Sequence, residues 1–218
     1  MRFCAFETAT DWCSVALWLD GESRSLEQRA PNGHAGLALP MLERLLAGAG
    51  LGAGDLQAVA FGAGPGAFTG LRIACGLAQG IAFARNLPVI GISTLEAMAE
   101  ESDAERVVAC LDARMGEVYW AALEKHGERW REVVAARCTR PADLAPPGEG
   151  WIGCGNGFEA CGPMGLARVL PEIHPTAAAV ARLAAPRLAA GEGVDAALAA
   201  PNYVRDKVAF TQAELAAR

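Results

Sequence analysis

A glycine-rich loop between a predicted strand and a predicted helix is the segment best suited to bind a ligand. It contains Gly64, Gly66, Thr69 and Gly70. Backbone N–H groups at the start of a helix can hold a phosphate. The loop lacks the Lys and Ser or Thr of a P-loop, and Ala67 stands where the dinucleotide fingerprint has its third glycine. Phosphate binding is therefore one interpretation, and a tight turn whose glycines let strand and helix pack closely is the other.

Polar residues follow the first predicted strand and complete this phosphate-site hypothesis. Glu7, Thr8 and Thr10 stand there. A carboxylate in this place can hold a metal through water, while the hydroxyls face a nucleotide phosphate. The alternative is a turn whose threonine side chains cap backbone groups.

Motifs for metal binding and nucleophilic catalysis are missing from the sequence. Ala38 and not a second histidine follows His34 by four residues, and neither GxSxG nor HExxH occurs. The cysteines form no CxxC pair, and Cys4, Cys75 and Cys110 lie in apolar runs typical of buried thiols. We therefore expect no metal site, no structural disulfide and no catalytic thiol.

The order of the predicted elements in the N-terminal half determines where these residues lie. An antiparallel meander is followed by helical crossovers, an order that indicates a ribonuclease-H-like layer. Ser93 and Glu96 predict a capping box for a short helix through Met98. The other predicted elements are strands 2–7, 13–19 and 23–30, helix 37–47, strand 57–62, helix 69–85 and strand 88–92.

A second unit is predicted to begin near residue 102. Its long loops are rich in proline and glycine, and the tail after Pro201 is ambiguous and free to pack back on the first unit. The residues alone leave open whether the two halves are related. We divide the chain into subdomains 1–101 and 102–218. The predicted elements of the second are strands 106–111, 117–123 and 130–136 and helix 176–190.

Two predicted helices, 37–47 and 69–85, are more apolar than burial on one side requires. Apolar residues of the first spread over roughly 200° of the helical wheel, about twice one buried stripe. Either both helices are sandwiched inside one domain or they cover a partner. We favour the partner, because the crossover helices of a layered domain keep one face exposed to solvent. The predicted interface residues are Leu37, Leu39, Met41, Leu42, Leu45, Leu46, Arg72, Ile73, Leu77 and Ile81.

Composition and charge narrow the functional classes. The chain has 218 residues, of which 52% are hydrophobic and 20% charged, as in ordinary globular proteins. Its formal charge of -6 disfavours a surface that tracks nucleic-acid phosphates. The sequence shows neither a secretory signal nor a membrane span, so we expect a cytoplasmic protein.

Several segments resemble bacterial proteins of the TsaB family. The resemblance is dense up to Tyr119 and thin afterwards, and relatives usually carry Asp at the position of Glu7. The most specific segment is the glycine-rich loop. The resembling segments are 7–17, 34–42, 64–72, 91–96, 112–119 and 201–205.

The resemblance implies an actin-like α/β fold of two ribonuclease-H-like subdomains. It also implies a catalytically silent chain without its own cofactor or metal, partnered with the TsaD subunit. TsaD carries metal and ATP and transfers threonylcarbamoyl to the adenosine beside the tRNA anticodon. A TsaE ATPase completes the complex, so tRNA contact is only indirect.

In that family the first two helices contact TsaD, or a second copy in a homodimer when the partner is absent. The resemblance therefore implies the same interface that the helical wheels favour. The alternative function is a nucleotide-binding enzyme of the same fold, either a small-molecule kinase or a peptidase-like protein.

Overall fold

The computed structural model describes residues 1–162 and 164–205, and the elements below are those of this part of the chain. In this range no helix has the length and apolar character needed to cross a membrane. The strands are β1 (Arg2–Glu7), β2 (Trp12–Leu19), β3 (Glu22–Arg29), β4 (Ala58–Gly64), β5 (Val89–Ser93), β6 (Arg106–Asp112), β7 (Val118–His126), β8 (Arg129–Thr139), β9 (Ile152–Cys154) and β10 (Arg168–Leu170). The α-helices are α1 (His34–Gly48), α2 (Phe68–Phe83), α3 (Thr94–Glu101), α4 (Phe158–Cys161) and α5 (Ala177–Ala189).

The first sheet has the strand order β3-β2-β1-β4-β5. The strands β1, β2 and β3 form an antiparallel meander, and β4 and β5 join parallel to β1 through helical crossovers. The central strand β1 is buried from Phe3 to Glu7, which places its C-terminal carboxylate inside the protein. The predicted α/β layer is confirmed.

The second sheet repeats this arrangement with the order β10-β9-β6-β7-β8. The strands β6, β7 and β8 are antiparallel neighbours, and β9 and β10 are parallel to β6. Topology therefore relates the two halves. The prediction of a long loop over 153–165 was wrong at α4 and at the last two residues of β9, and β10 was not predicted. Elements of three or four residues are too short for an apolar period to be visible.

Helices cover both faces of the first sheet. On one face α1 packs against β2 and α2 against β4, and the two helices are neighbours. On the other face α3 and α5 share one apolar cluster with residues of both sheets. The helix α5 packs on the first sheet although it follows the second in sequence.

The cap of α3 differs in part from the predicted capping box. Ser93 accepts the N–H of Glu96 at 3.4 Å. The Glu96 carboxylate pairs instead with Arg187 of α5 at 2.6 Å. The helix continues to Glu101, three residues beyond the predicted end at Met98, because its second turn also packs between the sheets.

Candidate functional site

The carboxylate of Glu7 is enclosed by the protein. One oxygen accepts the N–H of Ala9 at 2.7 Å, and the other accepts the hydroxyl of Thr94 at 3.4 Å. A Cβ added to Gly62 would overlap this carboxylate, so the glycine provides its space. Burial raises the pKa of Glu7 to about 7. The hypothesis of an acid facing a metal or phosphate is therefore wrong for Glu7, because β1 directs its last side chain into the core.

The glycine-rich loop packs against the turn that follows β1. Thr8 donates its hydroxyl to the carbonyl of Gly70 at 2.7 Å, and a Cβ on Gly70 would overlap the Thr8 carbonyl. Gly64 is buried with φ 110° and faces the carbonyl of Asn202. These contacts correct the phosphate hypothesis for Thr8, Gly64 and Gly70, because their space is filled by the chain itself. Two other residues of the predicted set are accessible: Gly66 is half-buried and Thr69 is exposed.

We call the part of the chain built on the first sheet the first lobe and the part built on the second sheet the second lobe. A cleft of about 1190 Å³ is lined by residues of both lobes, and Arg114 places a cation in it. The guanidinium of Arg114 lies 3.2 Å from Asp112 of its own lobe and 3.7 Å from Asp11 of the other lobe. Arg114 lies in the turn between β6 and β7. An ion pair between Arg205 and Glu117, at 2.7 Å, supports this turn. Arg29 also lies 3.5 Å from Asp11, so both of these cleft carboxylates are paired with arginines of the same chain.

The histidine and cysteine side chains do not form a nucleophile pair at the start of α1. His34 directs Nε2 to the carbonyl of Thr10 at 2.9 Å, while the Cys13 thiol donates to the main-chain carbonyl of His34 at 3.9 Å. Burial raises the pKa of Cys13 to about 11. All seven cysteines are free, and the described residues contain no group of three His, Cys, Asp or Glu able to hold a metal.

Four predicted interface residues belong to the subunit's own core. Met41, Leu42, Leu45 and Leu46 are buried and pack against the first sheet. The prediction that they face a partner was wrong, since α1 lies over β2 and beside α2 and needs a wide apolar arc to cover both. Leu37 is half-buried against the same cluster.

The other predicted interface residues lie at the surface of α1 and α2. Leu39 is 42% exposed, and Arg72 is exposed in the second turn of α2. Ile73, Leu77 and Ile81 are half-buried. Phe83, which the prediction omitted, is 76% exposed at the last residue of α2.

Two glycines, Gly76 and Gly80, also lie on the exposed side of α2. A Cβ at either position would meet nothing within 4 Å among residues 1–162 and 164–205. A glycine inside an exposed helix costs about 1 kcal/mol relative to alanine, so packing against the described residues explains neither glycine. We call the surface formed by Leu39, Ile73, Gly76, Gly80 and Phe83 the outer face.

A C-terminal strap, residues 199–205, borders the outer face. Gln79 donates to the Ala199 carbonyl at 2.9 Å, which fixes the strap along α2. The Tyr203 ring packs at a tilt against Phe68, with ring centres 5.5 Å apart, and its hydroxyl accepts the Nε–H of Arg72 at 3.1 Å. The Arg72 guanidinium also lies 3.9 Å from the Phe68 ring centre. Sequence reasoning missed Phe68 and Tyr203 as site residues, although both lie in segments of the family resemblance.

Comparisons with known proteins agree with this architecture. A family model described as TsaD, tRNA N6-adenosine threonylcarbamoyltransferase, matches residues 27–212. The Escherichia coli K12 protein called tRNA threonylcarbamoyladenosine biosynthesis protein TsaB is 38% identical over 96% of this chain and 97% of its own. The Haemophilus influenzae protein of the same name is 43% identical over 65% of each chain.

Solved structures from Pseudomonas aeruginosa show the same fold. One is described as an uncharacterized protein with similarity to peptidase YeaZ, and has a TM-score of 0.89 at 38% identity, covering 94% of this chain and 99% of its own. The other, described as YeaZ, has a TM-score of 0.88 over 93% and 99% at the same identity.

The duplicated α/β fold and the matching model define a two-lobed protein related to the tRNA N6-adenosine threonylcarbamoyltransferases. Within this class, the chain belongs to the TsaB family.

Proposed function

We propose that this chain is a non-catalytic subunit in the formation of threonylcarbamoyladenosine on tRNA, and that it binds a TsaD-type catalytic subunit through the outer face. The name of its relatives supports the pathway. One observation carries the binding role: Gly76 and Gly80 are exposed on a helix, and no described residue occupies the space where a side chain would stand. Glycines one turn apart let the backbone of a second helix approach closely.

The side chains around these glycines support a protein partner. Ile73 and Leu77 offer half-buried apolar surface, and Leu39 and Phe83 project further into solvent. Interfaces combine an apolar centre with aromatic and arginine anchors. The cluster of Phe68, Tyr203 and Arg72 supplies such anchors at the edge of the outer face.

The close packing of the glycine-rich loop against the turn after β1 supports the proposal that this chain is not catalytic. Glu7 is enclosed, and Arg114 bridges Asp11 and Asp112 in the cleft where a nucleotide enzyme of this fold would need its ligand. ATP and metal are then expected on the TsaD-type partner. This arrangement favours the partner function over a small-molecule kinase or a peptidase-like enzyme.

Coexpression with the TsaD-type subunit tests the binding role. Ile73→Asp and Leu77→Asp place a charge on the contact and should abolish copurification and lower threonylcarbamoyladenosine in cellular tRNA. Val133→Asp is the matched control, because Val133 is 43% exposed on β8, away from the two helices. Intact complexes and fully modified tRNA with both helix variants would refute the proposal.

Calorimetry with Mg-ATP tests catalytic silence. We expect no binding heat from this chain alone at millimolar nucleotide, and tight binding would reverse the assignment. The remaining parts of the proposal are a TsaE-type ATPase in the complex, indirect contact with tRNA, and a homodimer through the outer face when the partner is absent. The expected location is the cytoplasm, because the tRNA substrate is modified there.

A further inference from the structure

The C-terminal strap contacts both lobes of the chain. Near its middle, Asn202 donates its backbone N–H to the carbonyl of Ala63 at 2.6 Å, at the end of β4 in the first lobe. At its end, Arg205 pairs with Glu117 of the second lobe at 2.7 Å. Residues 202–205 of the strap also line the cleft between these two attachment points. The strap therefore ties the lobes together across the cleft.

The turn that Arg205 contacts has a strained backbone. Arg114 and Met115 have φ values of 61° and 59°, in the left-handed region that side chains disfavour, and Gly116 follows at 76°. In the part of the chain that the structure describes, no other two non-glycine residues with such φ values are adjacent. Strain of this kind persists only where surrounding contacts hold it, and it is typical of segments that switch conformation. We call residues 113–117 the strained turn.

The side chain of Arg205 holds the strained turn from outside. Its guanidinium lies 2.7 Å from the Glu117 carboxylate, 3.5 Å from the Arg114 carbonyl and 3.9 Å from the Met115 sulfur. It also lies 5.5 Å from the ring centre of Tyr119 on β7. The Arg205 and Glu117 side chains are only 12% and 22% exposed, so their ion pair is shielded from solvent. One side chain of the strap therefore contacts both the backbone and the carboxylate of the strained turn.

The strained turn also carries the second ion pair that crosses the cleft. Arg114 lies 3.7 Å from Asp11 of the first lobe, and the Arg114 side chain is 75% exposed. An exposed pair at this distance contributes little to stability. Breaking a shielded pair costs more, because it leaves a charge uncompensated away from solvent. Opening of the cleft therefore depends more on Arg205 than on Arg114.

The strap connects Arg205 to the start of α2. Two residues earlier in the chain, the Tyr203 hydroxyl accepts the Nε–H of Arg72 at 3.1 Å. The Tyr203 ring packs against Phe68, the first residue of α2. Between these contacts, Val204 packs on the apolar cluster that both sheets share. A movement of Arg205 should therefore be transmitted to α2 through a short, packed segment.

We propose that the strap is a releasable clasp between the lobes. While Arg205 is paired with Glu117, the strained turn is held over the cleft and the cleft stays narrow. When this pair opens, the turn relaxes, Arg114 leaves Asp11 and the cleft widens, while both lobes remain folded. The clasp then also sets the position of the first two turns of α2. It belongs to the isolated chain, so it stands whether or not the partner role is correct.

Hydrogen exchange of the full chain, measured by mass spectrometry, tests the clasp. Arg205→Ala should accelerate exchange about tenfold or more in the strap and in the strained turn, with no change in β1. Glu117→Gln should reproduce this effect, and the double variant should add little, because both changes remove one contact. Arg140→Ala is the matched control, since Arg140 pairs with Asp143 inside the second lobe and should change neither segment.

Relief of the backbone strain should act in the opposite direction. Met115→Gly removes the side chain that disfavours the left-handed conformation, so exchange in the strap should slow about fivefold. Asp11→Asn removes only exposed ion pairs and should change exchange by about twofold or less. The nuclear magnetic resonance signal of the Arg72 Nε–H should shift in Glu117→Gln, because the strap connects these two residues of different lobes.

The same measurements can refute the clasp. Unchanged exchange in the strap and the strained turn of Arg205→Ala would overturn it, and so would equal acceleration in β1, which indicates global unfolding. If Arg205→Ala does not fold, Glu117→Gln decides by the same two criteria. An unmoved Arg72 signal in Glu117→Gln would refute the connection to α2. Because every measurement uses the chain alone, failure of the clasp is distinct from failure to bind a TsaD-type subunit.

Discussion

Replacing Gly76 and Gly80 by alanine should stabilise the isolated chain and weaken its complex. Each position lies in the interior of α2, and the methyl group would meet no atom of the part of the chain that the structure describes. Each change should add about 1 kcal/mol to the free energy of unfolding, through helix propensity. For a chain of this size the double variant should melt about 4–8 °C higher.

The same methyl groups should collide with a partner helix. Overpacking of a closely packed contact costs about 1–3 kcal/mol, so the double variant should bind the TsaD-type subunit about tenfold or more weakly. Thermal melting and a binding titration on one preparation measure both effects. Gly70→Ala is the matched contrast within α2, because its Cβ would overlap the Thr8 carbonyl and should lower the melting temperature. A stabilised double variant with unchanged affinity would refute close helix contact at these glycines.

Two further predictions concern Glu7 and its surroundings. The folded chain holds the Glu7 proton more tightly than the unfolded chain, so the free energy of unfolding should fall by about 3 kcal/mol as pH rises from about 4.5 through 7. Glu7→Gln should remove this slope in urea melts at pH 5 and pH 8, and an unchanged slope would assign it to other groups. Gly62→Ala should destabilise the chain, since its methyl group overlaps the carboxylate, and adding Glu7→Asp should recover part of the loss. If the losses of stability caused by Gly62→Ala and Glu7→Asp simply add in denaturant melts, direct contact between the two residues is contradicted.

The first sheet could be predicted because its strands are long and its helices periodic. The strands β1 and β2 and the crossovers through α1 and α2 carry their own apolar patterns. The strands β9 and β10 could not be predicted, since three residues define no period. The strand β9 pairs with β6, which lies far away in the sequence, and β10 pairs with β9.

The candidate site could be predicted only in part. An apolar side chain indicates that a position is buried, but it does not indicate whether the same chain or a partner buries it. Leu42 and Leu39 are the same residue type on one helix, yet Leu42 is in the core and Leu39 at the surface. Residue type also does not indicate which way a side chain points, since the carboxylate of Glu7 points into the core. The bridge from Arg114 to Asp11 arises from two lobes meeting in space, which no local spacing reveals.

The helix α5 follows the second sheet in sequence but packs on the first sheet. The second lobe is therefore inserted within the chain of the first lobe. The buried residues Ala177, Val180 and Leu183 complete an apolar layer that residues 1–101 cannot cover alone. Proteolysis near residue 102 should therefore not release an independently stable N-terminal half. The two lobes should lose their structure in one cooperative transition, despite their duplicated topology.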